Sequence, residues 1–402
     1  RIGAGERPDI AVGRWPARTA AEAAALLEKV KRIENAPAGE WKRRIHLVLG
    51  SAGFGEAMDS MLKTGGMKLA GDLVPEAWSF RAQSSLQLGL PFTWPHDDYN
   101  RKLTECVNEG CLLFAYSGHG FETGLQSLRW KDGRYPILDR DLAAKLNSAE
   151  GAPFAFLFAC LTGSFDEPEG DCLAEALVRN PRGPAAAVAS SAISHPYADM
   201  IFAKELMQVM FAKRAPTIGQ AVAAAKRRAV QPAEGDTLRM FLDGMAVGAV
   251  GGARMQDRFR HDGALAYNLL GDPATRVPWP GKLDVKAGES VKAGEGVAVS
   301  GEAAAADGAP VVVTLECPRL TPREPLEEIV RKDPDGDALR RNWARMNEPV
   351  LARAEGVVRG GAFRVVLTVP EGVSRGEYVV KVWLSDGVTD ALGSRRVKVS
   401  AP

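Results

Sequence analysis

An excess of charge of one sign is missing: 51 Lys and Arg stand against 50 Asp and Glu. With no surplus of positive charge to hold a polyanion or an anionic membrane, nucleic acid is not the expected partner. Long apolar runs are missing too. The longest weakly polar stretch, around Met245 to Gly252, is short and glycine-rich, far below the roughly 18–20 residues a spanning helix needs. Cysteine is scarce. Cys106, Cys111, Cys160, Cys172 and Cys317 make an odd number without CxxC or Cys/His metal spacing, which excludes a disulfide framework and a zinc site and leaves at least one thiol free in a monomer. No cofactor is called for. The chain begins at Arg1 with neither methionine nor apolar leader, as a processed or excised chain does.

What is present is the composition of a globular protein, 46% hydrophobic and 25% charged over 402 residues, enough for two or three domains. Extended Ile10 to Val12 stops at Pro16, and a helix from Thr19 to Glu34 follows, with Thr19 and Glu22 as a capping box. Strand and helix then alternate. Arg44–Leu49, Cys111–Tyr116, Phe154–Ala159 and Ala185–Ala189 read as buried strands. Glu56–Gly65, Asp139–Asn147, Leu173–Arg179, Asp199–Phe211 and Thr217–Val230 read as helices. The alternation predicts an α/β unit with a mostly parallel sheet flanked by helices, over residues 1–280.

Pro278-Trp279-Pro280-Gly281 breaks that pattern, and beyond it the apolar period becomes two. Runs at Val297–Gly301, Val311–Leu315, Phe363–Leu367, Tyr378–Trp383 and Arg396–Val399 predict an all-β sandwich of about seven strands over 281–402. The charged stretch 324–353 interrupts it, either as a helical insertion carrying Leu339, Trp343 and Met346 or as a loop.

Two strand ends carry the chemistry. One delivers Gly118-His119-Gly120 and the other Ala159-Cys160-Leu161, and the crevice beyond the carboxyl ends of a parallel sheet is where functional groups gather. Each residue alone has a structural alternative, a solvated turn histidine and an inert core thiol. Together they are a nucleophile and a base: a thiol near pKa 8.5 is mostly protonated at neutral pH, and an imidazole beside it takes the proton as attack occurs. The oxyanion then needs donors, and the N–H groups of Gly120 and Cys160 are the candidates. His46, His96 and His195 lack such a frame, Trp130 reads as core or pocket wall, and Cys172 reads as packing. A serine or metal hydrolase is disfavoured, since neither a G-x-S-x-G elbow nor a metal-ligand cluster is present.

Four motifs resemble the gingipain peptidase family, of the same clan as caspases. They are Asp9–Arg18, Tyr116–Thr123, Ala159–Asp166 and Asn268–Pro273, in the family's order across about two thirds of the chain. The resemblance implies a caspase/gingipain-like fold with an N-terminal subdomain mostly missing here, supplied by a lost segment or a partner chain, and an immunoglobulin-like domain at the C-terminus. It implies cleavage of protein or peptide substrates with Cys160 as nucleophile and His119 as general acid/base, a secreted or cell-envelope location, and a structural calcium. The family's acid near the end of an earlier strand is not matched, because that strand ends Leu49-Gly50-Ser51. Glu56 and Glu122 are the candidate orienting or loop acids.

The pocket for the residue before the cut is expected between the Cys160 loop and Ser190 to Asp199, with Ser190, Ser191, Tyr197 and Asp199 as its candidates. Asp199 matches the selecting acid of a lysine-specific family member, which implies cleavage after Lys or Arg; the alternative is that it caps the helix it opens. The competing function is a catalytically weak peptidase-like protein whose sandwich serves binding or surface attachment.

Overall fold

The computed structural model describes residues 2–3, 7–8, 10–50, 59, 63, 65–67, 69–148, 150–166, 170–330 and 332–401. It divides into two compact units. The first holds residues 1–36, 45–74 and 82–278; the second holds 37–44, 75–81 and 279–402. Two short segments that the strand–helix alternation did not separate therefore cluster with the C-terminal part.

The first unit holds most of a six-stranded sheet of β1 (Arg44–Leu49), β2 (Ser79–Ser84), β3 (Leu113–Ser117), β4 (Phe154–Phe158), β5 (Ala186–Ser190) and β6 (Tyr267–Leu270), in the order β6-β5-β4-β3-β1-β2, with Arg44 and residues 79–81 counted in the second unit. Pairs β1–β3, β3–β4 and β4–β5 are parallel, and β6 closes its edge antiparallel to β5. The central strands read as continuous apolar runs because both faces are covered: all five residues of β4 and of β5 are buried. β2 and β6 escaped the sequence reading, the first because Ser79-Phe80-Arg81-Ala82-Gln83-Ser84 is too polar to stand out.

The helices are α1 (Ala20–Glu34), α2 (Tyr99–Asn108), α3 (Arg140–Ala144), α4 (Leu173–Arg179), α5 (Pro196–Phe211), α6 (Ile218–Ala229), α7 (Thr237–Val250) and α8 (Ala253–Ala266). Thr19 caps α1 by accepting the Glu22 N–H, as the sequence predicts. Glu22 itself reaches back to the Arg18 N–H, at 2.6 Å, so the box closes one residue early. Helix α5 starts at Pro196, not at Asp199, because His195 caps it with Nδ1 on the Tyr197 N–H and proline suits the first turn. Of the expected Glu56–Gly65 helix, Asp59, Lys63 and Gly65 are described, all helical; Glu56 lies outside the described residues. Helices α2, α7 and α8 were not anticipated.

In the second unit, strands β7 (Gly296–Glu302), β8 (Pro310–Glu316), β9 (Val350–Val357), β10 (Ala362–Thr368), β11 (Gly376–Ser385) and β12 (Asp390–Ser400) form two sheets. One runs β12-β11-β8-β9 with Gly281–Lys282 and Ser290–Lys292 against β12; the other runs Lys286–Ala287, β7, β10. Alternate residues of the strands, such as Phe363, Val365 and Leu367 from β10 and Val380, Val382 and Leu384 from β11, fill one apolar core. The charged stretch yields helix α9 (Gly336–Asn347), with Leu339, Trp343 and Met346 on its buried face, and β9 begins soon after it.

Candidate active site

Register brings the two loops together. β3 and β4 pair in parallel with Ser117 opposite Phe158, and β4 pairs with β5 with Leu157 opposite Ala189. His119 and Cys160 each lie two residues beyond the Ser117–Phe158 pair, so they leave neighbouring strands at the same level, beside the loop after Ser190.

The His119 backbone is held on both sides. Its carbonyl accepts from the buried Tyr116 hydroxyl at 2.8 Å and from the Gln126 N–H at 3.3 Å, and its N–H donates to Gln126 Oε1 at 3.3 Å. The Gly118 N–H donates to the Phe158 carbonyl at 3.3 Å, tying this loop to the strand that carries Cys160. Gly120 makes the closest approach. A Cβ there would fall 2.7 Å from Ala159 Cβ, the Cys160 carbonyl oxygen and Thr162 Cγ2, distances no real Cβ tolerates, so only glycine allows the two loops to touch.

Cys160 is half-buried and starts a tight turn. Leu161 takes a left-handed conformation, φ 59°, a strain of about 1–2 kcal/mol for a non-glycine residue. The turn is held by hydrogen bonds from Leu161 N to Ala192 O (3.1 Å), Gly163 N to Ser190 O (2.8 Å) and Ala174 N to Thr162 O (2.9 Å). Among the described residues no acceptor takes the Cys160 N–H. The sulfur faces Ser194: the Ser194 N–H donates to Sγ at 3.4 Å, and the thiol donates to the Ser194 carbonyl at 3.4 Å.

Burial holds the His119 imidazole below its ordinary pKa, and the negative charge of Asp59 pulls it back up. Among the described residues Asp59 is thus an acid whose charge acts on His119, and no motif had marked it. It stands three positions after Glu56 in the sequence, and Glu56 lies outside the described residues. The Glu122 backbone carbonyl accepts the Leu173 N–H at 2.8 Å, joining the His119 loop to the start of α4.

The expected pocket residues are not alike. Ser190 is wholly buried and its hydroxyl donates to the Ala192 carbonyl at 2.8 Å. Ser191 donates to Ala266 O at 3.1 Å and accepts from Asn268 at 2.9 Å, fastening the loop to β6. Tyr197 is buried, with its hydroxyl on Asp243 at 2.7 Å. Asp199, one turn into α5, is buried and accepts from Ser194 Oγ at 2.8 Å and from the Tyr267 hydroxyl at 2.7 Å. It is not the helix cap. Ser194 lies within the expected pocket segment without having been singled out there, and Tyr267 lies outside it; both bond to Asp199. Phe121 and Ile193, 52% and 80% exposed, stand on the two loops beside the site.

The remaining candidates have structural work. His195 caps α5 and lays its ring 4.2 Å from that of Phe259, and both nitrogens of buried His96 are engaged by backbone, at 2.7 and 2.9 Å. Burial pushes the Cys172 thiol up to about 12, which leaves it inert. Among the described residues no disulfide is formed, no cluster of His, Cys, Asp and Glu could hold a metal and no helix is long and apolar enough to cross a membrane.

The chain is similar to a solved protease structure at 15% identity and a TM-score of 0.45, over 95% of this chain and 73% of that one. It is also similar to a chain of the Saccharomyces cerevisiae separase–securin complex, at 15% identity and a TM-score of 0.39, over 65% of this chain and 14% of that one. A search of curated protein sequences returned no match. Residues 3–278 match the model of peptidase family C25, and with most of its length inside that match the chain belongs to this family of cysteine peptidases.

Proposed function

We propose that the protein is an endopeptidase that cleaves peptide bonds through a thioester on Cys160. The observation that carries this reading is the meeting of the His119 and Cys160 loops across Gly120, at the in-register ends of β3 and β4. His119 accepts the thiol proton as sulfur attacks the carbonyl and returns it to the leaving amine; water then hydrolyses the thioester. Asp59 orients the imidazole and stabilises its charged form. The Cys160 N–H, with no acceptor among the described residues, and the N–H of Gly120 hold the oxyanion. Exposed Phe121 and Ile193 offer apolar contacts to a bound peptide.

For the residue before the cut, this reading takes Lys or Arg, selected by Asp199. It is the carboxylate one hydroxyl away from the sulfur, and no cation pairs with it among the described residues. A secreted or envelope location goes with the same reading. Labelling with an electrophilic peptide ending in lysine tests it: the label is expected on Cys160, with peptide hydrolysis in the unlabelled enzyme. An unmodified Cys160 in a protein that hydrolyses no peptide would instead favour a peptidase-like binding protein. A cleavage library preferring acidic or small residues would remove the basic preference alone.

A further inference from the structure

Behind Cys160 lies a hydrogen-bonded chain that the mechanism above does not use. Ser194 touches the sulfur with its N–H, its carbonyl and its hydroxyl, the last at 3.7 Å. The same hydroxyl donates to Asp199 Oδ2 at 2.8 Å, and the Tyr267 hydroxyl donates to Oδ1 at 2.7 Å. Cys160 and Asp199 are thus two hydrogen bonds apart, with Asp199 buried and Cys160 and Ser194 half-buried. A serine hydroxyl has one proton to give. While Asp199 is ionised that proton is committed to the carboxylate, and a thiolate alongside would keep the Ser194 N–H but lack the hydroxyl as a donor, and would face a like charge.

We propose that Ser194 couples Asp199 to Cys160 as a charge gate: with no cation on Asp199 the thiol stays protonated, and a Lys or Arg side chain docking there releases it to ionise. The inference rests on reading Asp199 as the selector of a basic residue. In the closed state the thiol proton is donated to the Ser194 carbonyl. On opening it passes to the His119 imidazole, and the incoming cation balances the second negative charge.

The surroundings fit a gate that works near neutrality. Burial lifts Asp199 to about 7 against the Tyr267 and Ser194 hydroxyls. Tyr267, on β6, is itself held well above its ordinary value by burial and by Asp199, so it remains a neutral donor. His119, with Asp59 acting on it, is the base on the neighbouring loop. His195 turns to Phe259, while Asp243 of α7 and Arg260 of α8 meet at the Tyr197 hydroxyl.

Alkylation by iodoacetamide, in which the thiolate displaces iodide, reads the gate without turnover. At pH 8 Asp199→Asn is expected to alkylate at Cys160 about tenfold faster than the wild type, with its titration moved to lower pH. Adding Asp199→Asn to Ser194→Ala should change little, and Ser194→Thr, which keeps the hydroxyl, should behave as the wild type. n-Butylamine, a mimic of the lysine side chain, should accelerate alkylation of the wild type but not of Asp199→Asn. Equal pH profiles for wild type and Asp199→Asn would overturn the gate, as would slower alkylation in an Asp199→Asn protein of unchanged thermal unfolding. If n-butylamine fails to inhibit cleavage of a lysyl peptide, the basic preference has failed and the release step falls with it; the Asp199→Asn profile then decides the coupling alone.

Discussion

Four motifs meet in two pairs within the first unit, and glycine permits both meetings. Near the β6 edge, Arg14 bridges Leu270 in parallel, giving its N–H to Leu269 O at 2.9 Å and accepting from Gly271 N at 2.8 Å. A Cβ on Gly13 would lie 2.4 Å from the Gly271 carbonyl oxygen and 2.8 Å from Pro273 Cδ. At the sheet rim, Gly120 brings the His119 loop against the Cys160 loop, where a Cβ would lie 2.7 Å from its neighbours. What differs is what stands beside the contact. At Gly13 it is backbone and a proline ring, so the meeting extends a strand edge; at Gly120 it is the backbone and small side chains of the turn that carries Cys160. The same kind of sequence signal thus marks architecture in one place and the proposed chemistry in the other.

Mutations separate the two. Cys160→Ala should remove all peptide hydrolysis and leave thermal unfolding within a few degrees of the wild type, because a half-buried thiol loses little volume; turnover retained in that variant would end the assignment of the nucleophile. Gly120→Ala should cost about 10²-fold in kcat/KM, since Ala159, Cys160 or Thr162 must shift to admit the methyl group. Gly13→Ala should do the reverse, lowering stability by about 1–3 kcal/mol with kcat of the folded enzyme kept. If both glycine variants lose activity and stability in the same proportion, the contrast between the regions fails.

The smallest effect sharpens the His119 side. Asp59 raises an imidazole pKa that burial has lowered. Asp59→Asn should therefore move the acidic limb of kcat/KM to lower pH, because the base now loses its proton more readily, while cutting turnover about tenfold through lost orientation. A pH–rate profile with an unmoved acidic limb would return the orienting role to another group. Glu122→Gln should leave that limb in place.

Leu113 to Tyr116 and Phe154 to Phe158 announce buried strands because each local run is apolar enough to be covered on both faces, and His119 and Cys160 were legible as the residues that follow. Helix α1 was legible through Thr19 and its spacing. The polar strand β2 and the helices α7 and α8 were not, since their burial depends on neighbours distant in the chain. Asp59 and Tyr267 carried no signal for the same reason, and Ser194 was marked only as part of the segment Ser190 to Asp199. Asp199 and Tyr267 are 68 positions apart, and Cys160 and Ser194 are 34 apart, and only the sheet order β6-β5-β4-β3 makes them neighbours. The sequence by itself determined which residues could be nucleophile and base, because that follows from side-chain chemistry and local period. Which acid serves the histidine, and what the thiol touches, was decided by tertiary structure, because hydrogen bonds and charge act through ångströms and not through positions along the chain.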